Sequence, residues 1–193
     1  MHAPADDLVA LRDKILELAS LARREGLLAL DDYAQSPESD PFVVKCLNAA
    51  IDGSSAEALR DSVETDMGLR MAEMQATSRF WENWGTLCPT IGMLGSVLGL
   101  IQTMDVLAND AGSDAPGRAV FDGIATAFVA TVYGVGYSNL VCLPVAFKIR
   151  RYVQREHVRM SMVLEGVLGI QAGMAPGALR SRLNVYTSAS EDG

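Results

Sequence analysis

Apolar residues recur every three or four positions in several segments of the chain, and this spacing predicts a series of amphipathic helices. In the first helix the apolar positions are Leu8, Leu11, Ile15, Leu18 and Ala22. In a longer helix further along the chain they are Leu59, Val63, Met67, Met71 and Met74. A shorter helix is expected between these two, and a late helix carries Val153, Met160, Leu164 and Val167. We expect the methionines of such a stripe to pack against other helices rather than to bind a ligand.

Two segments depart from this pattern because they contain no charged residue. They run from Asn83 to Met104 and from Gly123 to Phe147. Each is longer than the roughly 20 residues that a helix needs to cross the hydrocarbon layer of a membrane. The sequence therefore predicts an all-α integral membrane protein with two transmembrane helices, and with further helices before and after them.

Both uncharged segments are rich in small residues. The first contains Gly92, Gly95, Ser96 and Gly99, and the second contains Ala125, Ala127, Ala130, Thr131, Gly134, Gly136 and Ser138. Small side chains let the backbones of membrane helices approach closely. We therefore expect both helices to pack against other helices, which a lone anchor in lipid would not need to do.

The charges that flank the two segments predict their orientation. The short loop between them is acidic, whereas Lys148, Arg150 and Arg151 follow the second segment directly. Basic residues are enriched on the cytoplasmic side of membrane helices, so the loop should face the periplasm and both termini the cytoplasm. The expected organisation is a cytoplasmic helical region at 1–82, transmembrane helices at 83–107 and 121–147, a periplasmic loop at 108–120, and cytoplasmic helices with a tail at 148–193.

The composition argues against several classes of protein. The net charge is -8 at pH 7, and the sequence contains no stripe of basic residues that could bind phosphates, so a nucleic-acid-binding protein is not expected. The three cysteines, Cys46, Cys88 and Cys142, are far apart and support neither a disulfide framework nor a metal site. The N-terminus lacks the basic and apolar regions of a secretory signal, so we expect the chain to start on the cytoplasmic side.

Candidate chemistry in the membrane segments is limited to hydroxyl groups. No nucleophile with a nearby base, phosphate-binding loop or metal-ligand spacing is recognisable, so neither an enzyme nor a cofactor is expected. The hydroxyls belong to Thr90, Ser96, Thr103, Thr126 and Thr131, and each could either bond the helix backbone or line a wet path. An ion path usually needs an ionisable group near the middle of the membrane. If this chain lines a channel, a partner must therefore supply the titrating carboxylate.

The membrane segments resemble a known family. CPTIGMLGSVLGLIQTM and GIATAFVATVYGVGYSNLVCLPVAFKI are similar to the third and fourth membrane helices of the MotA branch of the MotA/TolQ/ExbB channel family. ARREGLLALDD, before the membrane, resembles the cytoplasmic signature of that branch, and GIQAGMAPGALRSRL resembles its C-terminal motif. The similarity thus extends over nearly the whole chain.

The resemblance implies a flagellar stator subunit of the bacterial inner membrane. Several copies would form a homo-oligomer around a dimer of a MotB-type, peptidoglycan-anchored partner, whose membrane aspartate accepts protons or binds sodium. Ion flow would rotate the ring, and the cytoplasmic helices would push a protein of the rotor switch complex through charged contacts. No cofactor is implied.

The resemblance also implies roles for individual residues outside the ion path. Arg23 and Arg24 match basic, torque-bearing positions, and Asp31 matches their acidic counterpart, where the family usually has glutamate. Pro89 and Pro144 match two prolines at the cytoplasmic ends of the membrane helices. Since proline removes a backbone donor, each could loosen its helix and serve as a hinge that couples ion binding to motion.

Three further positions concern the ion itself. Ser96 and Thr131 match hydroxyl positions that face the ion path in the family, and Ala130 falls where sodium-type members tend to carry a second threonine. The loss of one oxygen ligand weakens a sodium site more than it weakens a proton relay through water or hydroxyls. This position therefore favours protons as the coupling ion.

Two other functions stay open at the level of the sequence. One is an energy-transducing subunit of the TolQ or ExbB type, against which ARREGLLALDD argues. The other is a non-conducting membrane scaffold, in which Thr131 and Pro144 could be replaced without loss of motility or proton flux. Family members also have two more membrane helices before the cytoplasmic signature, and the resemblance implies that this chain lacks them.

Overall fold

The computed structural model describes residues 4–36, 40–109 and 116–188. Its α-helices are α1 (Pro4–Glu25), α2 (Asp31–Ala34), α3 (Pro41–Ile51), α4 (Ala56–Asn109), α5 (Pro116–Tyr137), α6 (Leu143–Gln171) and α7 (Pro176–Ser188). A 3-10 turn (Leu27–Leu30) precedes α2, and a π-helical turn (Ser138–Cys142) joins α5 to α6. No strand occurs in these ranges, and the all-α prediction is confirmed. Residues 110–115 of the predicted periplasmic loop, and the last five residues of the tail, lie outside the described residues.

The helix boundaries follow local chemistry. Helix α1 ends because Gly26 adopts a φ of 90°, a left-handed conformation that glycine accepts without strain. Helix α3 begins with Pro41 in its first turn, while an oxygen of the Asp40 side chain accepts hydrogen bonds from the backbone amides of Phe42 and Val43. Proline at position 176 suits the first turn of the last helix, α7, which continues to Ser188.

The chain folds as two compact units. The first comprises Met1–Ala72 and Tyr152–Gly193, and the second comprises Glu73–Arg151, as far as these ranges are described. Helices α4 and α6 each contribute residues to both units.

The first unit has the buried apolar core of a water-soluble protein. Four residues of the predicted stripe on α4 pack inside it, because Leu59, Val63, Met67 and Met71 are buried, whereas Met74 is half-buried and belongs to the second unit. The apolar positions predicted for the late helix are buried as well: Val153, Met160, Leu164 and Val167. His157 is exposed and takes no part in this core.

The second unit shows the opposite distribution. Its buried residues are small or polar, and they include Ser78, Cys88, Thr103, Ala127, Ser138, Cys142 and Ala146. Large apolar side chains point outward instead, among them Ile91, Met93, Phe128, Val132 and Leu140. Two helices, Ala56–Asn109 and Val120–Gln171, are long and apolar enough to span a membrane, yet only 17% and 11% of their most apolar windows are buried within the chain. Because a core helix of a soluble protein would be mostly buried, this distribution indicates helices that are surrounded by lipid or by other subunits.

Candidate functional site

Helices α4 and α5 touch through glycine. A methyl group added to Gly134 would lie 2.6 Å from the backbone oxygen of Cys88 and 2.9 Å from the Cα of Gly92. A methyl group on Gly92 would lie 2.9 Å from the backbone oxygen of Ala130. The two backbones are therefore in direct contact, as the small-residue pattern predicted.

This close approach brings Ser96 and Thr131 together. Their hydroxyls share a hydrogen bond, and Ser96 Oγ also lies 2.9 Å from the backbone oxygen of Ala127. Since each hydroxyl has a single hydrogen, a consistent arrangement has Thr131 donating to Ser96, which in turn donates to Ala127. Both side chains are half-buried, so this hydroxyl pair is a polar group inside an otherwise uncharged helix contact.

Ala130 lies beside the hydroxyl pair. A methyl group on Gly95 would lie 3.0 Å from the Cβ of Ala130, so this position faces α4 rather than the outside of the hairpin. The three residues that sequence analysis assigned to the ion path thus lie at one helix contact. Their role in ion passage stays a prediction.

Pro89 lies within α4, which continues through it without ending. Proline has no backbone N–H, so Pro89 cannot donate to the carbonyl of Gly85, four residues earlier. Ser138 provides the missing donor, because its Oγ donates to the Gly85 oxygen at 2.5 Å. Sequence analysis placed Ser138 among the small packing residues of the second segment but did not assign it a role as a hydrogen-bond donor.

Pro144 follows the π-helical turn, with one residue between them. The backbone amide of Leu143 donates to the oxygen of Ser138, five residues earlier, which makes this turn wider than an α-helical one. Both predicted hinge prolines therefore lie beside irregular hydrogen bonding that involves Ser138. Their action as hinges remains untested.

The predicted rotor-contact residues lie on the surface of the first unit. Arg23 and Arg24 occupy the last turn of α1, and Asp31 begins α2. All three are exposed, and the Gln35 amide donates to an oxygen of Asp31 at 2.7 Å. Leu28, on the 3-10 turn between them, is 77% exposed, a feature that the sequence analysis did not single out. Within the described residues, no ion pair joins either arginine to Asp31.

The described part of the chain contains no group of three or more His, Cys, Asp or Glu side chains that could hold a metal ion. The contact between α4 and α5 is instead built from glycine, hydroxyl and backbone groups. Residues 34–162 match the MotA/TolQ/ExbB proton channel family.

The chain belongs to this family. It is 35% identical over 175 residues to Motility protein A of Bacillus subtilis, an alignment that covers 91% of this chain and 62% of that relative. The present chain thus spans less than two thirds of the length of Motility protein A from Bacillus subtilis.

Two solved structures share the fold. The structure of C. jejuni MotAB superposes with a TM-score of 0.83 at 28% identity, covering 93% of this chain and 67% of that one. The flagellar MotAB stator complex from Bacillus subtilis gives a TM-score of 0.76 at 34% identity, covering 88% and 64% of the two chains. None of these three proteins is named as an enzyme. This MotA/TolQ/ExbB member is accordingly an all-α inner-membrane protein with two membrane-spanning helices.

Proposed function

We propose that this chain is a flagellar stator subunit that forms an ion channel together with a MotB-type partner and couples ion flow to torque. The hydroxyl pair of Ser96 and Thr131 carries the proposal, because it places polar oxygens inside a helix contact that contains no charge. A non-conducting scaffold could use the same hydroxyls to join its two helices, so the proton flux of Thr131 variants separates the two functions. The name of the Bacillus subtilis relative, Motility protein A, supports a stator over a TolQ- or ExbB-type subunit.

The partner supplies what this chain lacks. From Asn83 to Met104 and from Gly123 to Phe147 the sequence has no ionisable carboxylate or amine. An ion that crosses a membrane needs a titrating or coordinating group near the middle of its path. The carboxylate therefore comes from the MotB-type subunit, and the exposed apolar side chains of the second unit contact that subunit, lipid and further copies of this chain.

The proposal extends to the orientation of the chain in the membrane, its contact with the rotor and the coupling ion. The basic residues after Phe147 support an orientation with both termini in the cytoplasm. In that orientation Arg23, Arg24 and Asp31 are available to a protein of the rotor switch complex. Ala130, which offers no second hydroxyl beside Thr131, supports protons as the coupling ion.

Reconstitution tests the channel directly. The protein is incorporated into lipid vesicles with and without its MotB-type partner, and proton uptake is followed with an enclosed pH-sensitive dye under an imposed membrane potential. We expect uptake only when both proteins are present, and loss of uptake when the membrane carboxylate of the partner is replaced by its amide. Equal uptake with and without the partner would contradict the shared channel. Normal swimming of cells that lack the gene, with a defect in envelope transport instead, would favour the TolQ or ExbB alternative.

A further inference from the structure

The carbonyl group of Gly85 is a backbone acceptor that lacks its regular donor within its own helix. In a regular α-helix the amide of the residue four positions later would donate to it, but that residue is Pro89. Ser138, in the π-helical turn, supplies the missing donor: its Oγ donates to the Gly85 oxygen at 2.5 Å. Gly85 is buried and Ser138 is 2% exposed, so water does not compete for this acceptor.

The backbone of Ser138 takes part in the second irregularity. Its carbonyl oxygen accepts the hydrogen bond from the Leu143 amide that defines the π-helical turn before Pro144. A proline ring normally clashes with the carbonyl four residues earlier, and a wider turn gives that ring room. One residue therefore bonds to the proline site of α4 through its side chain and to the proline site of α6 through its carbonyl.

Gly85 makes this contact possible. A methyl group at Gly85 would lie 3.0 Å from Leu143 Cδ2 and 3.5 Å from Cys142 Cβ. The absence of a side chain lets α4 approach the π-helical turn closely enough for the short side chain of Ser138 to reach the Gly85 oxygen. The link thus depends on the pairing of a glycine with a serine.

We propose that Ser138 is a positioning residue that couples the two proline sites, replacing the hydrogen bond that Pro89 cannot make and holding the π-helical turn against Gly85. A displacement of α4 at Pro89 is then transmitted to the turn before Pro144. The inference rests on the proposed function and on the hinge role that the family resemblance implies for Pro89 and Pro144, but the hydrogen bond can be tested without any assay of ion flow.

A single carbonyl can be observed because Gly85 and Thr86 form the only Gly–Thr pair in the sequence. Glycine labelled at the carbonyl carbon and threonine labelled at nitrogen therefore isolate the Gly85 carbonyl by solid-state NMR of the full chain in lipid bilayers. Ser138→Ala should move this resonance upfield, because the oxygen loses its donor. Ser138→Cys, which keeps the size and weakens the donor, should move it less.

Restoring the donor within α4 supplies the decisive comparison. Pro89→Ala gives Gly85 an amide partner of its own, so Ser138→Ala should have little effect on the carbonyl resonance in that background. Thr126→Ala is the control, because it removes a hydroxyl that bonds the backbone of its own helix at Asp122. It should leave the Gly85 resonance in place.

Hydrogen exchange of the π-helical turn, followed by mass spectrometry on the same variants, tests the coupling. Ser138→Ala should speed exchange there by about tenfold, a ratio equivalent to about 1.4 kcal/mol and within the range for an orphaned buried acceptor. Pro89→Ala should change exchange in the turn when Ser138 is present and leave it unchanged when residue 138 is alanine. An unmoved carbonyl in Ser138→Ala, or equal effects of Pro89→Ala in both backgrounds, overturns the proposal. Absence of proton flux in the unaltered protein would count against the proposed function alone.

Discussion

The backbones of Gly92 and Gly134 meet where α4 packs on α5, and a methyl group on Gly134 would come within 2.9 Å of the Gly92 Cα. The obstacle is backbone on both sides, which cannot rotate away as a flexible side chain could. Close backbone contact of this kind holds membrane helices together through van der Waals packing, since lipid offers no hydrophobic driving force between them.

Gly134→Ala should therefore separate the two helices and destabilise the hairpin by about 1–3 kcal/mol, the usual cost of overpacking a tight contact. Thermal unfolding in detergent, followed by circular dichroism, measures the loss. Gly136→Ala is the matched control, because a methyl group at that position meets nothing within 4 Å in the chain. Equal stability of the two variants would show that the glycine contact does not hold the hairpin together.

Replacement of Thr131 by alanine should lower proton flux through the complex with the MotB-type partner. The change removes one of the two hydroxyls and breaks their hydrogen bond, and a hydrogen bond contributes about 0.5–1.5 kcal/mol, so a two- to tenfold reduction is expected. Thr131→Ser keeps the hydroxyl and should retain most of the flux. Uptake of protons into vesicles measures both variants, and unaltered flux in Thr131→Ala would favour the non-conducting scaffold.

The fold was largely predictable because its main signals are local. Uncharged segments longer than a membrane is thick and apolar residues at helical spacing can both be recognised without knowledge of any partner. Where α7 ends is less visible in the sequence, since no glycine or proline follows Leu183 before the last residue. The helix continues there beyond the last strongly apolar turn.

The site was predictable only in part because its contacts join distant residues. Ser96 and Thr131 were identified through a family resemblance, whereas the link from Ser138 to Gly85 joins residues 53 positions apart. A proline in a helix reveals that a carbonyl loses its donor, but not which side chain replaces it. That choice depends on the rotation of α5 against α4, which sequence periodicity alone does not fix.

Charge reversal of Arg23 should impair swimming without abolishing it. The side chain is exposed, and an exposed ion pair contributes only about 0.2–1 kcal/mol, so the change from attraction to repulsion weakens the rotor contact to a limited extent. A compensating reversal of an acidic residue on the rotor should restore part of the speed. Swimming in soft agar measures the effect, and Arg155→Glu, at an exposed position on α6 of the same unit, is the control. If Arg23→Glu cells swim as fast as this control, Arg23 does not contribute to the rotor contact.

The first unit also contains an ion-pair cluster that should make its stability depend on pH. Asp66 Oδ2 lies 3.0 Å from both Lys45 Nζ and Arg70 Nε. The hydrogen bond from Lys45, assisted by the positive charge of Arg70, lowers the pKa of Asp66 below its ordinary value of 3.8. The folded protein thus holds the Asp66 proton less tightly than the unfolded chain does.

A carboxyl group whose pKa is lowered by folding stabilises the protein above its unfolded pKa, and this contribution is lost as the pH falls through the folded value. Asp66→Asn should therefore lower the melting temperature at neutral pH, by an amount corresponding to about 1 kcal/mol for a partly exposed pair. The difference from the unaltered protein should shrink as the pH falls below 3.8, first because the unfolded chain takes up the proton and, at lower pH, because Asp66 of the folded protein does so too. Asp61→Asn, an exposed change on the same helix, controls for the general effect of acid on the other carboxylates. A difference between Asp66→Asn and the unaltered protein that stays constant from neutral pH to about pH 3 would show that the ion pairs of Asp66 do not stabilise the fold, since protonation would then remove nothing.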